Sequence, residues 1–272
     1  MVAEFLITGA KGQLGRALMA LLGRRAAGTD LPEVDITSVD SVLAAVDEYD
    51  PRWIINCAAI TDVDLCQREP GIAMKVHRDG VANLAGTGRR LLTISTDHVF
   101  TGSAGMKTPI IEGDRTCPSN RYGESKLLGE REALDAGPEN IVVRTSWMFS
   151  GDTGLCPFIY RSLAHRGRVR AVCDQRACLT YAPDLADAIV RLTSAGAGGL
   201  FHLVNSPGIT PAELATRFAR SSGGTVEEVS WSDLELDAPR PFYSVLGTSR
   251  EVSLPDMEDA LERWRKSDVR YR

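Results

Sequence analysis

Residues 4–22, EFLITGAKGQLGRALMALL, limit what this chain can fold into more than any other segment. A short apolar run ends at Gly9, two further glycines follow at Gly12 and Gly15, and apolar residues then recur at helical spacing. That order describes a buried strand, a tight turn and an amphipathic helix. Glycines in such a turn let the backbone approach a pyrophosphate, and the unpaired N–H groups and positive end of the helix face it. The segment predicts a dinucleotide site with Gly9, Gly12, Gln13 and Leu14 at the turn; a glycine-rich helix cap without a ligand has the same local pattern. An acid is expected about 20 residues after such glycines, on the ribose hydroxyls. Asp30 fits. Its carboxylate would repel a 2′-phosphate and leans the reading toward NADH, whereas Lys11 and Arg16 can meet that phosphate and pull toward NADPH. Asp35 and Ile36 are placed beside the adenine; for Asp35, a helix N-cap region is the competing reading.

The first half of the chain keeps alternating. The apolar runs EFLITG, RWIINCAA, RLLTIST and NIVVRTSWMF read as strands. LGRALMALLGR, IAMKVHRDGVANLAGTGR and YGESKLLGEREAL read as the helices between them. Continuously apolar strands that alternate with helices indicate a parallel sheet covered on both faces. Crossover handedness then predicts an α/β, doubly wound, Rossmann-like fold. After about residue 150 the rhythm breaks. SGDTGLCPF reads as loop, IYRSLAHRGRV, DLADAIVRLTSA and TPAELATRFARSS as helices, GGLFHLVN as a strand and DAPRPFYSVLGTS as a proline-bearing loop. Thr210 and Pro211 suit the N-cap and first position of a helix. The expected organisation is a dinucleotide-binding domain over 1–150, with a return near 180–197. A smaller mixed α/β substrate-binding lobe spans 151–272, with a cleft between the two.

A chain of 272 residues can bury a sizeable core, and a formal charge of −5 argues against nucleic acid or an anionic membrane as the main partner. MVAEFLITGA lacks the basic start of a secretory signal, and no apolar run approaches the roughly 20 residues of a membrane span. A cytoplasmic location is expected. The six cysteines form no CxxC pair and read as reduced, with no metal site.

Two further stretches carry chemistry. In YGESK, Tyr122 and Lys126 stand four apart on one helical face. An ammonium beside a phenol favours the tyrosinate and is expected to lower the tyrosine's pKa, which suits proton transfer to a carbonyl oxygen. In STDHVFTG, residues 95–102, the strand RLLTIST ends where open α/β sheets bind ligands, so Thr96 is expected to donate to the same oxygen. A strand-end cap is the plainer reading of Thr96.

Together FLITGAKGQLGRAL, WIINCAAITDVD, GVANLA, ISTDHVFTG, NRYGESKLLGE, VVRTSWMF, DLADAI and SVLGTS resemble the extended short-chain dehydrogenase/reductases, above all the dTDP-4-dehydrorhamnose reductase family, over nearly the whole chain. The resemblance implies an NAD(P)H-dependent oxidoreductase of deoxysugar biosynthesis. It would reduce the 4-keto group of a nucleotide-linked 4-keto-6-deoxysugar. Tyr122 would act as acid, Lys126 would tune Tyr122 and grip the cofactor ribose, and Thr96 would orient the carbonyl. It adds Ala58 and Ala59 to the cofactor site and implies substrate contacts from His98, Phe100, Trp147 and, on the nucleotide phosphates, Arg240. A homodimer is expected on the same ground. The chain departs from the family at His98, usually tyrosine, at His77, commonly asparagine, and at Gly247, usually an acid. His98 reads as a solvated loop residue ahead of a sugar-facing group. Trp147, Met148 and Phe149 read as a substrate-facing patch or as core, Arg240 as a phosphate contact or a surface arginine, and His202 and His165 as a satisfied strand histidine and a surface residue. A sugar dehydratase and a non-catalytic, dinucleotide-binding regulatory subunit are the competing functions. The dehydratase reading loses ground because His98 stands where a glutamate is needed.

Overall fold

The computed structural model describes residues 3–103 and 105–267. The outermost residues of the two expected lobes, 1–2 and 268–272, therefore lie outside the described residues. The chain runs β1 (Phe5–Thr8), α1 (Gln13–Leu22), β2 (Ala26–Thr29), α2 (Val39–Tyr49), β3 (Trp53–Asn56) and α3 (Val63–Arg68). A helical rod follows as α4 (Pro70–Met74), a π turn (Lys75–Asp79) and α5 (Gly80–Ala85). Next come β4 (Arg90–Thr96), α6 (Arg121–Ala136), β5 (Ile141–Thr145), β6 (Met148–Phe149), α7 (Leu155–Arg166), β7 (Arg168–Val172) and β8 (Arg176–Tyr181). The chain ends with α8 (Ala182–Ser194), β9 (Gly199–His202), β10 (Asn205–Ile209), α9 (Pro211–Ser222), β11 (Thr225–Val229), β12 (Tyr243–Ser244) and α10 (Met257–Ser267).

The main sheet has six strands in the order β2-β1-β3-β4-β5-β9, all parallel. Its strands are apolar on both faces because both are covered. Phe5 and Ile7 point to the face packed by Leu14, Leu18 and Leu22 of α1 and Leu185, Ile189 and Leu192 of α8. Leu6, Ile54, Leu91 and Val142 point the other way, onto Val42 and Val46 of α2, Leu84 of α5 and Ala133 of α6. This is the doubly wound α/β fold the alternation predicts. The order reverses between β1 and β3, and that switch point is where such sheets bind ligands.

NIVVRTSWMF is two strands rather than one. β5 stays in the main sheet, while β6 leaves it and pairs with β8. SGDTGLCPF is not all loop, because α7 starts at Leu155; Pro157 sits in the first turn, where its missing N–H costs nothing. The second lobe holds the sheet β10-β8-β12, the parallel pair β11-β7, and α7, α9 and α10 around Phe149, Phe218 and Trp264. The chain re-enters the main sheet through α8 and β9 before this lobe is complete. Thr210 caps α9 with a full capping box to Glu213. None of the six cysteines is in a disulfide. Among the described residues no helix is long and apolar enough to cross a membrane.

Candidate active site

At the end of β1, Gly9 takes φ +69°, and a Cβ there would come within 2.6 Å of the Ala58 backbone nitrogen. Only glycine lets this turn lie so close to the end of β3. Gly12 then caps α1 without a side-chain bond, and no acid sits in the first turn, so the leading N–H groups of α1 are left for a ligand. A cleft of about 530 Å³ opens over this turn, and a second cavity of about 330 Å³ adjoins it; both are lined by Gly12, Cys57, Ala58 and Ala59. Gln13 and Leu14 border the larger cleft. Gly9, Asp30, Asp35 and Ile36 border the smaller one. The groove fits an extended dinucleotide on two independent grounds. Gln13 Oε1 is buried without a hydrogen-bond partner, and Lys126, which borders the cleft, donates no hydrogen bond to the protein among the described residues.

Asp30 accepts from the backbone N–H of Lys11 and of Leu31, each at 2.9 Å. That locks its carboxylate at the mouth of the smaller cavity. Lys11 Nζ turns away, 3.2 Å from the Leu31 carbonyl and 3.3 Å from Glu33, and Arg16 donates to the Lys11 carbonyl at 2.6 Å. Only Lys11's backbone, not its ammonium, reaches the expected site. Asp35 accepts from the Thr37 N–H and hydroxyl, which hold its pKa below the usual value, while Ser38 is the residue that caps α2.

Thr96, Tyr122 and Lys126 border the same cleft, as expected. Asn120 starts α6 by accepting from the Gly123 N–H at 2.8 Å. Gly123 has no room for a side chain, since a Cβ would sit 2.1 Å from the His98 carbonyl. That close approach brings the first turn of α6, with Tyr122, against the end of β4, with Thr96. The Thr96 hydroxyl faces the Tyr122 phenol.

The expected lowering of the Tyr122 pKa does not occur in this cleft. Burial pushes the phenol well above its ordinary value and Asp97 adds to the rise, against the pull of the Thr96 hydrogen bond. Burial also outweighs the neighbouring Glu130 at Lys126 and brings the ammonium down to about 8. A phenol held protonated is in the form that donates a proton. Cys57, pushed up to about 12 by burial, is no nucleophile.

His98 is buried rather than solvated and borders the cleft beside Trp147 and Met148. Phe149 is core. Phe100 does not reach the cleft: it packs with Val99 and Ile110, edge-on to His202, under the Arg144 guanidinium. Arg240 is half-buried and already paired. Both its terminal nitrogens bond Asp64, at 3.1 and 2.8 Å, so the second-lobe loop is clasped to α3. His202 is a satisfied histidine, its Nδ1 between the carbonyls of Ile110 and Gly247.

Two groups have contacts in the site to which sequence reasoning assigned no partner. His77, in the π turn, accepts from the Ile60 N–H at 3.0 Å and lies 2.8 Å from Ser125 Oγ, so it ties the loop after β3 to α6. Asp97, buried at the end of β4, borders the cleft. The π turn has no sequence signal, but an acid directly after Thr96 was in plain view.

The family model described as RmlD substrate binding domain matches residues 3–270. The dTDP-4-dehydrorhamnose reductase of Streptomyces griseus is 38% identical over 264 residues, covering 91% of this chain and 86% of the relative. The probable dTDP-4,6-dihydroxy-2-methyloxan-3-one 4-ketoreductase of Streptomyces antibioticus is 35% identical over 264 residues, covering 91% and 88%. The solved dTDP-4-dehydrorhamnose reductase of Bacillus anthracis str. Ames, in complex with NADP, superposes with a TM-score of 0.91 at 29% identity, covering 98% of this chain and all of that one.

Proposed function

The chain belongs to the RmlD substrate binding domain family, and we propose that it is an NAD(P)H-dependent oxidoreductase that reduces the 4-keto group of a nucleotide-linked 4-keto-6-deoxysugar. The observation that carries this reading is the convergence of Thr96, Tyr122 and Lys126 on one cleft, which begins at the glycine turn after β1. The reduced nicotinamide supplies the hydride that C4 receives. Tyr122 donates its phenolic proton to the ketone oxygen, so that C=O becomes CH–OH. Thr96 turns its hydroxyl, here donated to Asp97 at 3.1 Å, toward that same oxygen. Two donors aimed at the oxygen that gains charge stabilise the transition state more than the ground state. Lys126 binds the ribose hydroxyls, and Gln13, Ala58 and Ala59 line the cofactor's path. His98 and Trp147 face the sugar.

NADH is the preferred cofactor in this reading. Asp30 occupies the mouth of the ribose cavity, and both cations near it are engaged by Glu33, the Leu31 carbonyl or the Lys11 carbonyl. Asp30→Ala is expected to raise the KM for NADH more than that for NADPH, and equal effects contradict its ribose role. The solution form is read as a homodimer, checked by light scattering, and the location as cytoplasmic.

The test of the reaction is spectrophotometric. NADH or NADPH is followed with a panel of nucleotide-linked 4-keto-6-deoxysugars, and products are identified by NMR. Turnover of at least one sugar to its 4-hydroxyl product is expected. Tight dinucleotide binding with no turnover of any sugar overturns the reading.

A further inference from the structure

Between the helical turn Trp231–Asp233 and β12, residues 234–242 of the second lobe have no regular structure. Asp64 of α3 takes hold of this segment at three points. Its Oδ1 accepts from the Ala238 N–H at 2.9 Å, and its two oxygens receive the Arg240 guanidinium at 3.1 and 2.8 Å. Arg240 Nη1 also returns to the Ala238 carbonyl at 2.6 Å. Arg68, the last residue of α3, pairs with Asp237. The side chains of Asp64 and Arg240 are 22% and 15% exposed, so this two-point, charge-assisted contact is screened less than a surface pair.

The clasp brackets one peptide group. Ala238 is held through its N–H and its carbonyl, Arg240 through its side chain, and the ring of Pro239 between them fixes φ. The Pro239 carbonyl accepts from Asn120 Nδ2 at 2.8 Å. The same nitrogen lies 3.0 Å from Nδ1 of His98, and Asn120 Oδ1 accepts from the Gly123 N–H. His98 is 7% exposed and borders the cleft. An unbroken run of contacts therefore leads from Asp64 to the cleft.

We propose that Asp64 is a positioning residue of the reduction: by clasping residues 238–240 to α3 it sets the Pro239 carbonyl, which orients Asn120, which keeps the His98 proton on Nε2, the ring nitrogen left without a protein partner. The inference rests on the reading of His98 as a sugar contact. Asn120 Nδ2 has two hydrogens, one for Pro239 and one for His98. With the carbonyl in place, Nδ1 of His98 accepts and Nε2 donates. Without it the amide is held at Oδ1 alone and can turn away, so that Nδ1 takes the proton and Nε2 loses its power to donate.

The test reads the His98 imidazole by nitrogen-15 NMR in wild type and Asp64→Ala, with its signals assigned by His98→Phe. Wild type is expected to hold the Nε2–H form alone. Asp64→Ala is expected to leave at most about a third of the rings in that form, and so to weaken calorimetric binding of a nucleotide-linked 4-keto-6-deoxysugar at least about threefold, because only the competent form binds. Both kcat and the dissociation constant of NADH are expected to stay within about twofold. In the His98→Phe background the same substitution is expected to cost less than about 1.5-fold in sugar affinity, because its effect runs through the ring. Asp64→Ser carries the same expectations if Asp64→Ala fails to fold. Imidazole signals that coincide in wild type and both variants overturn the proposal, as does an equal loss of sugar affinity with and without His98, the mark of a merely structural contact. The spectra need no turnover, so a failure of the reductase reading is seen separately in the ketosugar assay.

Discussion

Asn120 Nδ2 lies 3.0 Å from Nδ1 of His98, and that contact decides which edge of the imidazole can donate. The amide cannot be turned round, because Oδ1 accepts from the Gly123 N–H and Nδ2 also donates to the Pro239 carbonyl, both at 2.8 Å. Nδ1 of His98 is thus an acceptor, and the ring proton sits on Nε2, which has no protein partner among the described residues. His77 has the opposite tautomer. Its Nε2 accepts from Ile60, so Nδ1 carries the proton toward Ser125. Burial keeps both rings neutral, bringing His77 down to about 2 and lowering His98. Tyr122 stands between them, meeting each ring edge-on at centroid distances of 5.5 and 5.6 Å.

Asn120→Asp is expected to reverse the His98 tautomer. A carboxylate still caps α6 but accepts from Nδ1–H, which leaves Nε2 unable to donate to a sugar oxygen. The KM for the sugar should rise about tenfold, a loss of about 1.4 kcal/mol. Nitrogen-15 NMR of the imidazole reads the tautomer directly. A wild-type His98 protonated at Nδ1 contradicts the assignment.

Lys126→Met is expected to trade activity for stability. Burial takes the lysine from 10.5 to about 8, so the folded chain holds its ammonium at a cost. Between about pH 8 and 10.5 the unfolded chain binds more protons, so this group's contribution to stability rises with pH, and below about 8 the full cost is present. At about 1.4 kcal/mol per pKa unit, the variant should gain at most about 3.5 kcal/mol at neutral pH, with the gain fading across that window. Urea denaturation at several pH values checks it. An equal gain at all pH values contradicts the ionisation argument.

Arg144→Met is expected to destabilise the fold by about 3–5 kcal/mol, because it strands the Glu130 carboxylate. The pair is 4% and 3% exposed, with Nε and Nη2 bonding the two carboxylate oxygens at 2.8 and 2.6 Å. Adding Glu130→Leu should recover most of the loss. A double variant no more stable than the single one would show that packing over Phe100, not charge, dominates.

The main sheet was legible because its strands are apolar on both faces, so EFLITG and RLLTIST announce themselves without their partners. The edge strand β2, AAGT, is made of small residues and half exposed, and has no such signal. The second lobe did carry signals that went unread. RVRAV alternates exposed and buried residues in β7, and Met257, Ala260, Leu261 and Trp264 mark the buried stripe of α10. In the cleft, Thr96, Tyr122 and Lys126 were visible from position alone. The direction of the Tyr122 shift was not, because it depends on how deeply the phenol is buried. The clasp on Arg240 was illegible for a related reason: its partner Asp64 lies far away in sequence.

The most direct test compares wild type with Tyr122→Phe on a nucleotide-linked 4-keto-6-deoxysugar, measuring single-turnover NAD(P)H oxidation beside calorimetric binding of cofactor and sugar nucleotide. Removing the phenolic proton is expected to slow turnover by about 10²–10⁴-fold and to change either binding constant less than about threefold. A variant that oxidises the cofactor within a few-fold of the wild-type rate would contradict the assignment of Tyr122 as the proton donor.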